Sequence, residues 1–148
     1  MRNDTRIDQI MTRNPDTVSP EDNLTTVKTI FENKGFHHIP VVNEGKLTGI
    51  VSYTDYLQII SEMHQGNTPE GMYQTGLNNI EVRDVMTQAV VTLRPGDTVE
   101  DAINLFKNHV FHALPVVEHD QRLVGILTTH DLVKVLEQVL GPSIDYAG

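Results

Sequence analysis

Two short stretches of the sequence place hydroxyl groups and a carboxylate directly after an apolar run. Residues 49–55 read Gly-Ile-Val-Ser-Tyr-Thr-Asp, and residues 125–131 read Gly-Ile-Leu-Thr-Thr-His-Asp. Val and Ile favour a buried strand, whereas Ser, Thr and Asp favour the start of a helix, so each stretch predicts a strand-to-helix corner. Such a corner can hold a ligand, because the free N–H groups at a helix start favour anions.

The same residue types also have a purely structural explanation. A Ser or Thr at the N-cap, followed by Asp in the first turn, caps a helix and contributes about 1 kcal/mol without any ligand. One corner taken alone therefore favours capping over binding.

The corner belongs to a longer internal repeat. At one constant offset, Met11-Thr12 recurs as Met86-Thr87, Phe36-His37 as Phe111-His112, and Pro40-Val41-Val42 as Pro115-Val116-Val117. The register slips by one residue between Val42 and Gly49, where a hairpin turn would absorb an insertion. Two copies of one unit therefore account for nearly the whole chain.

Composition indicates a soluble, cytoplasmic protein. A chain of 148 residues with 39% hydrophobic side chains can bury a core shared by two halves. No apolar run approaches the ~20 residues that span a bilayer, and the polar start is unlike a signal peptide, so we expect no membrane insertion. The formal charge of -9 argues against nucleic acid as a partner.

Motifs for catalysis or metal binding are missing from the sequence. It contains no cysteine, no G-x-x-x-x-G-K-S/T loop, no G-x-S-x-G elbow and no H-E-x-x-H pair. His109 and His112 are three residues apart, but the chain between them is expected to pass from a helix into a strand. We therefore expect no enzyme, no catalytic residue and no metal site.

The periodicity predicts an α/β (α+β) fold of two pseudo-symmetric repeats packed as one compact module. Each repeat is expected to run strand, helix, strand, strand, helix. The predicted divisions are a first repeat at 7–64, a connecting loop at 65–80, a second repeat at 81–140 and a loose tail at 141–148. Strands are predicted at 16–18, 38–42, 47–52, 90–92, 113–117 and 123–128, and helices at 54–63, 98–108 and 129–140. A turn at 19–22 is expected to lead into a further helix, with Pro20 in its first turn and Lys34-Gly35 at its end. Leu57 and Ile103 are expected on the inner faces of their helices.

Two copies of Met-Thr, of H-x-x-P-V-V and of G-h-h-S/T-x-x-D, where h is an apolar residue, resemble a tandem pair of cystathionine beta-synthase (CBS) domains, or Bateman module. The resemblance covers residues 7–140. It implies a pseudo-twofold pair whose clefts bind an adenosine derivative, with AMP, ADP or ATP favoured over S-adenosylmethionine. It also implies a homodimer that regulates an enzyme or transporter. Two corners within this pattern reverse the preference for simple capping.

The resemblance assigns roles to individual residues. Asp55 and Asp131 correspond to carboxylates that take the ribose hydroxyls, and the match is chemically sound because two acceptor oxygens face two donors. The positions implied as ribose or phosphate contacts are Thr17, Ser52, Thr54, Thr92, Thr128 and His130. The phosphate candidates are His37, His38 and His112, and the adenine-pocket candidates are Met11, Pro40, Met86 and Pro115.

Each of these assignments has a plainer alternative. Thr17 and Thr92 are good strand residues, the histidines could pack locally, and the methionines and prolines could simply be core. Ala113 stands where His38 stands in the first copy, so the second copy offers fewer phosphate contacts.

The sequence therefore predicts a stand-alone regulatory module that binds an adenine nucleotide and signals its occupancy to a partner protein. The alternative is a structural or interaction module without a nucleotide ligand.

Overall fold

The computed structural model describes residues 4–64, 76–109 and 111–141. The described residues up to Pro15 belong with those from Val91 onwards, and Asp16–Val90 form a second unit. We call Asp16–Val90 the first-repeat unit and the other the second-repeat unit. Each unit therefore contains the strands and helices of one repeat and the segment that leads into the other repeat.

The described elements follow the mixed helix and strand order expected for the fold. The strands are β1 (Thr12–Arg13), β2 (His38–Asn43), β3 (Lys46–Ser52), β4 (Ala113–Val117) and β5 (Leu123–Thr128). The helices are α1 (Leu24–Lys34), α2 (Tyr53–His64), α3 (Val99–Asn108) and α4 (Thr129–Leu140), with short 3-10 turns at Ile7–Gln9, Val82–Asp84 and His119–Gln121. The predicted bounds of β4, β5 and α4 are confirmed.

A hairpin forms the centre of the first-repeat unit. β2 and β3 are antiparallel, with His38 opposite Ser52, and the turn between them uses positive φ angles at Glu44 and Gly45. Such angles suit a two-residue hairpin turn. On the outer sides, Val18 bridges β2 in parallel and Thr87 bridges β3 antiparallel.

The second-repeat unit repeats this arrangement. β4 and β5 are antiparallel, with Ala113 opposite Thr128, and Leu93 bridges β4 in parallel. The leading segment here forms a true strand, because β1 pairs with β5 on the far side. The longer turn between β4 and β5 contains a 3-10 turn, which is where the sequence places the extra residue.

The predicted strands at 16–18 and 90–92 are wrong. Only Val18 pairs with β2, and in the second copy the paired residue is Leu93, beyond the predicted range. The reason is a turn that begins immediately afterwards, since Asp22 and Asp97 each close a turn with backbone and side-chain hydrogen bonds. One residue is all that remains to pair.

The predicted turn at 19–22 is confirmed, but the expectation that Pro20 lies in the first turn of α1 is wrong. The helix begins at Leu24, because Asn23 is its N-cap and accepts hydrogen bonds from the backbone N–H groups of Thr25 and Thr26. Its end after Lys34 is confirmed, with Gly35 in the left-handed conformation.

Each unit has its own apolar core, and both cores include the leading segment. Leu77 and Val82 are completely buried with the β2–β3 hairpin, and Ile7 is completely buried with β4 and β5. Leu77 explains why residues 76–79 are helical and not part of a loop, because burying its side chain outweighs the weak local propensity. Residues 65–75 of the predicted loop, and 142–148 of the predicted tail, lie outside the described residues.

Two side chains predicted to be buried are exposed. Leu57 is 44% exposed because α2 packs through Tyr56, Ile59 and Ile60 instead. Ile103 is also 44% exposed, since α3 buries the stripe that contains Val99 and Ala102. Both predictions therefore made the buried face of the helix one residue wider than it is.

Pro40 lies where a proline does least damage. The carbonyl of Pro40 accepts the N–H of Val18, so the ring nitrogen of Pro40 faces the same side of β2. Within the described chain, the only pairing on that side of β2 is the single bridge from Val18. The missing N–H of proline therefore leaves no hydrogen bond of a continuous ladder unmade.

Candidate functional site

The corner of the first-repeat unit joins β3 directly to α2. The Ser52 hydroxyl accepts the backbone N–H of Asp55 at 3.0 Å and so caps the helix. The N–H of Tyr53 donates to the His37 carbonyl at 2.7 Å, which fixes the start of the helix against β2. The Asp55 side chain is partly buried, and within the described residues no donor is bonded to its carboxylate.

The corner of the second-repeat unit is more completely bonded. The N–H of Asp131 donates to the Thr128 hydroxyl at 3.2 Å, and the N–H of Thr128 donates back to the Asp131 carboxylate at 2.9 Å. This reciprocal pair is a capping box. The Thr12 hydroxyl also donates to the two carboxylate oxygens, at 3.3 and 3.5 Å, and Asp131 is only 8% exposed.

The glycine that opens each corner motif packs beneath the leading segment. A Cβ on Gly49 would lie 2.7 Å from the Met86 sulfur and 2.8 Å from the Thr87 carbonyl oxygen. A Cβ on Gly125 would lie 2.6 Å from the Met11 sulfur. The repeated Met-Thr and G-h-h-S/T-x-x-D motifs are therefore two sides of one contact.

The predicted polar residues lie at different distances from the corners. His38 pairs directly with Ser52, and the His37 ring lies 5.8 Å from the ring of Tyr53. Thr17 precedes the bridge residue Val18, further along β2, and its side chain is exposed. Thr54 is exposed in the first turn of α2. In the first-repeat unit the histidines are thus beside the corner, while Thr17 is not bonded to it.

The second copy offers a different polar set. The carbonyl of His112 accepts the N–H of Thr129 at 3.1 Å, as the His37 carbonyl does for Tyr53. His130 is exposed in the first turn of α4, and Thr92 is partly buried beside the bridge residue Leu93. Ala113, the equivalent of His38, is buried, so it provides no polar side chain.

The four adenine-pocket candidates lie within the packing of the two units. Pro40 and Pro115 are buried, opposite Ile50 and Ile126. Met86 packs on the core of the first-repeat unit and Met11 on that of the second-repeat unit. Their packing role is evident, and adenine contact stays a prediction.

Sequence reasoning missed Thr12 as a site residue. It was visible only as half of the repeated Met-Thr pair, and nothing local connects it to Asp131, which is 119 residues away. Tyr53 was also missed, although its aromatic ring within the corner motif was a signal.

Other features of the described chain lie away from the corners. A cavity of about 240 Å³ is lined by Thr5, Ile10, Val135, Gln138 and Val139, none of them a predicted site residue. Hydrogen bonding by Ser19 lowers the pKa of Glu21, and hydrogen bonding to Asp8 raises the pKa of Arg6.

No group of three or more acidic residues or histidines in the described ranges could hold a metal ion. None of the helices described is long and apolar enough to cross a membrane.

A duplicated hairpin-and-helix unit with a capped acidic corner defines a class of small tandem-repeat modules. The family model for the CBS domain matches residues 7–62 and again residues 82–138. The chain therefore belongs to the CBS domain family, as a tandem pair, and the recognition made from its motifs is confirmed.

Relatives of known sequence and structure agree with this assignment. The uncharacterized protein MJ1225 of Methanocaldococcus jannaschii is 30% identical over 134 residues, which cover 86% of this chain and 46% of MJ1225. Its crystal structure superposes with a TM-score of 0.77 at 26% identity, over 93% of this chain and 49% of that one. The structure of CBSX2 in complex with AMP gives a TM-score of 0.76 at 27% identity, over 92% of this chain and 98% of that one; CBSX2 is a protein of Arabidopsis thaliana.

Larger proteins also contain this type of module. The inosine-5'-monophosphate dehydrogenase of M. jannaschii is 29% identical over 130 residues, which cover 87% of this chain but only 23% of that enzyme. The chain thus spans less than half the length of these two curated relatives.

Proposed function

We propose that this CBS pair is a regulatory module that binds an adenosine-containing ligand, with AMP, ADP or ATP preferred to S-adenosylmethionine. The observation that carries the proposal is the Asp55 carboxylate, which lies at the start of α2 with no bonded donor among the described residues. A carboxylate in that position can accept both hydroxyls of a ribose. The AMP complex of CBSX2, which matches this chain over nearly the full length of both, supports the choice of ligand class.

The neighbouring groups suit the rest of a nucleotide. Ser52 and Thr54 add hydroxyls at the start of α2, where the positive end of the helix dipole favours an anion. His37 and His38 lie beside the same corner, and an imidazole N–H can donate to a phosphate. The polar residues around Asp55 thus cover ribose and phosphate.

Regulation follows if the ligand binds one conformation of the module better than another. Occupancy then shifts the population toward that conformation, and a partner enzyme or transporter that contacts it responds. The chain itself is proposed to have no catalytic activity and to act in the cytoplasm.

We further propose that the module is a homodimer that uses α4. Val133, Leu136 and Val139 are 58%, 54% and 49% exposed on this helix. Three large apolar side chains within two turns are costly to leave in water, and a second copy would cover them.

The second candidate function is an interaction module without a nucleotide ligand. The observation in its favour is the same exposed face of α4, together with the fully bonded capping box at Asp131. Under this alternative the corner carboxylates only cap their helices.

A thermal-shift titration separates the two candidates. The intact protein is titrated with AMP, ADP, ATP and S-adenosylmethionine, because a ligand that binds only the folded state raises the apparent melting temperature with concentration. We expect a saturable rise with at least one of them, lost in the double variant Asp55→Asn/Asp131→Asn. No rise with any of the four, in a protein that melts cooperatively, would favour the interaction module.

A further inference from the structure

The two corner carboxylates have the same place in the repeat but different bonding. Asp131 accepts the Thr128 N–H at 2.9 Å and the Thr12 hydroxyl at 3.3 and 3.5 Å, and it is 8% exposed. Asp55 is partly buried, and its carboxylate has no bonded donor among the described residues. Both carboxylate oxygens of Asp131 therefore already accept donors of the protein, whereas those of Asp55 accept none among the described residues.

Thr12 is held in position by the sheet. It belongs to β1 and lies opposite Ile126 of β5, so its hydroxyl is placed beside the start of α4 by main-chain pairing. Thr87 is the equivalent residue of the other copy and lies opposite Ile50, with backbone hydrogen bonds of 2.9 and 3.0 Å. Among the described residues, its hydroxyl is not bonded to Asp55. Thr87 is therefore an internal control for Thr12. Both threonines pair with a strand in the same way, but only Thr12 donates a hydrogen bond to the carboxylate of its corner.

We propose that Thr12 is an internal competitor for the Asp131 carboxylate, so that an adenosine ligand binds first at the corner of Asp55. This inference rests on the proposed function and adds a hierarchy of the two sites to it. A ribose that binds Asp131 has to share the carboxylate with the Thr12 hydroxyl and the Thr128 N–H, which together occupy part of its roughly four acceptor positions. At Asp55 neither cost arises.

Calorimetric titration of the intact chain with AMP tests the hierarchy. We expect one strong site per chain, lost in Asp55→Asn and retained within about twofold in Asp131→Asn. Thr12→Val keeps the shape of the side chain and removes the donor, so it should strengthen a second, weaker site about tenfold, as expected for a hydrogen bond to a charged group. Thr87→Val is the matched control and should leave both sites unchanged.

A second measurement without ligand tests the contact itself. Thr12→Val should lower the melting temperature relative to Thr87→Val, because only Thr12 loses a hydrogen bond to a carboxylate. Equal melting temperatures would overturn the contact and the competition with it.

The binding outcomes separate this inference from the proposed function. Two equal sites in the unmodified chain, or AMP binding that depends on Asp131 and not on Asp55, would overturn the hierarchy and leave an adenosine-binding module. No binding of AMP, with no melting shift from the other three ligands, would overturn the proposed function and the hierarchy together.

Discussion

Gly125 lies so close to Met11 that a Cβ at position 125 would be 2.6 Å from the methionine sulfur. The same contact recurs between Gly49 and Met86, at 2.7 Å. In both cases a backbone carbonyl, of Thr12 or Thr87, lies within 2.9 Å of the same point. The leading segment of each unit therefore requires a glycine beneath it, which explains why the two motifs are duplicated together.

Substituting this glycine should loosen the leading segment. Gly125→Ala places a methyl group against the carbonyl of Thr12, which cannot move without displacing β1, so we expect a loss of about 1–3 kcal/mol in the free energy of unfolding. Urea denaturation measures the loss. Gly96→Ala is the control, since the nearest atom to its Cβ would be 3.9 Å away, and equal stability of the two variants would contradict the contact.

The start of α1 should depend on Asn23. Its side chain accepts the N–H groups of Thr25 and Thr26, so Asn23→Ala leaves helix donors unbonded and should reduce the stability by about 1 kcal/mol. Asn23→Asp retains an acceptor and should remain close to the unmodified protein in the same denaturation experiment. If the alanine variant is equally stable, the helix does not begin where the structure places it.

Leu77 should be essential for the core of the first-repeat unit. It is completely buried, so Leu77→Ala should cost about 2–5 kcal/mol through lost burial and the cavity left behind. Leu57→Ala removes the same group from a side chain that is 44% exposed, and we expect a loss of about 0.5 kcal/mol or less. Thermal or urea unfolding measures both, and similar losses would mean that the segment around Leu77 does not pack as described.

The exposed face of α4 should control assembly. Leu136→Glu places a charge on the apolar face and should convert the proposed dimer to monomer without reducing the stability of the monomer. Gln138→Glu adds the same charge about 160° around the helix from Leu136 and should remain dimeric. Sedimentation equilibrium distinguishes the two states. A monomeric unmodified protein, or a dimer that is unaffected by Leu136→Glu, would contradict the use of α4.

Local patterns in the sequence predicted the elements that depend on local chemistry. Residues 113–128 contain two apolar runs separated by a polar turn, as a hairpin requires, and Lys34-Gly35 ends α1 as predicted. The errors occurred where distant contacts decide the outcome. The bridge at Val18 is one residue long because of a turn closed by Asp22, and the helical turn at 76–79 forms because Leu77 enters a core.

The sequence indicated which residue types form the candidate site, but it did not indicate which of them are hydrogen-bonded to each other. The repeated motif indicated both corners and the capping alternative, and the capping box at Thr128 and Asp131 is present. The bond from Thr12 to Asp131 could not be inferred, because it joins two residues 119 positions apart. The bond forms because the segment that precedes the first repeat packs in the second-repeat unit, and no local pattern in the sequence indicates this.

The most direct test of the central claim compares AMP with 2'-deoxy-AMP in calorimetric titrations of the unmodified protein and Asp55→Asn. If the Asp55 carboxylate holds the ribose diol, removing one hydroxyl should weaken binding to the unmodified protein about tenfold or more and make little difference in the variant. Tight binding of AMP to Asp55→Asn, or equal binding of the two nucleotides to the unmodified protein, would contradict the account.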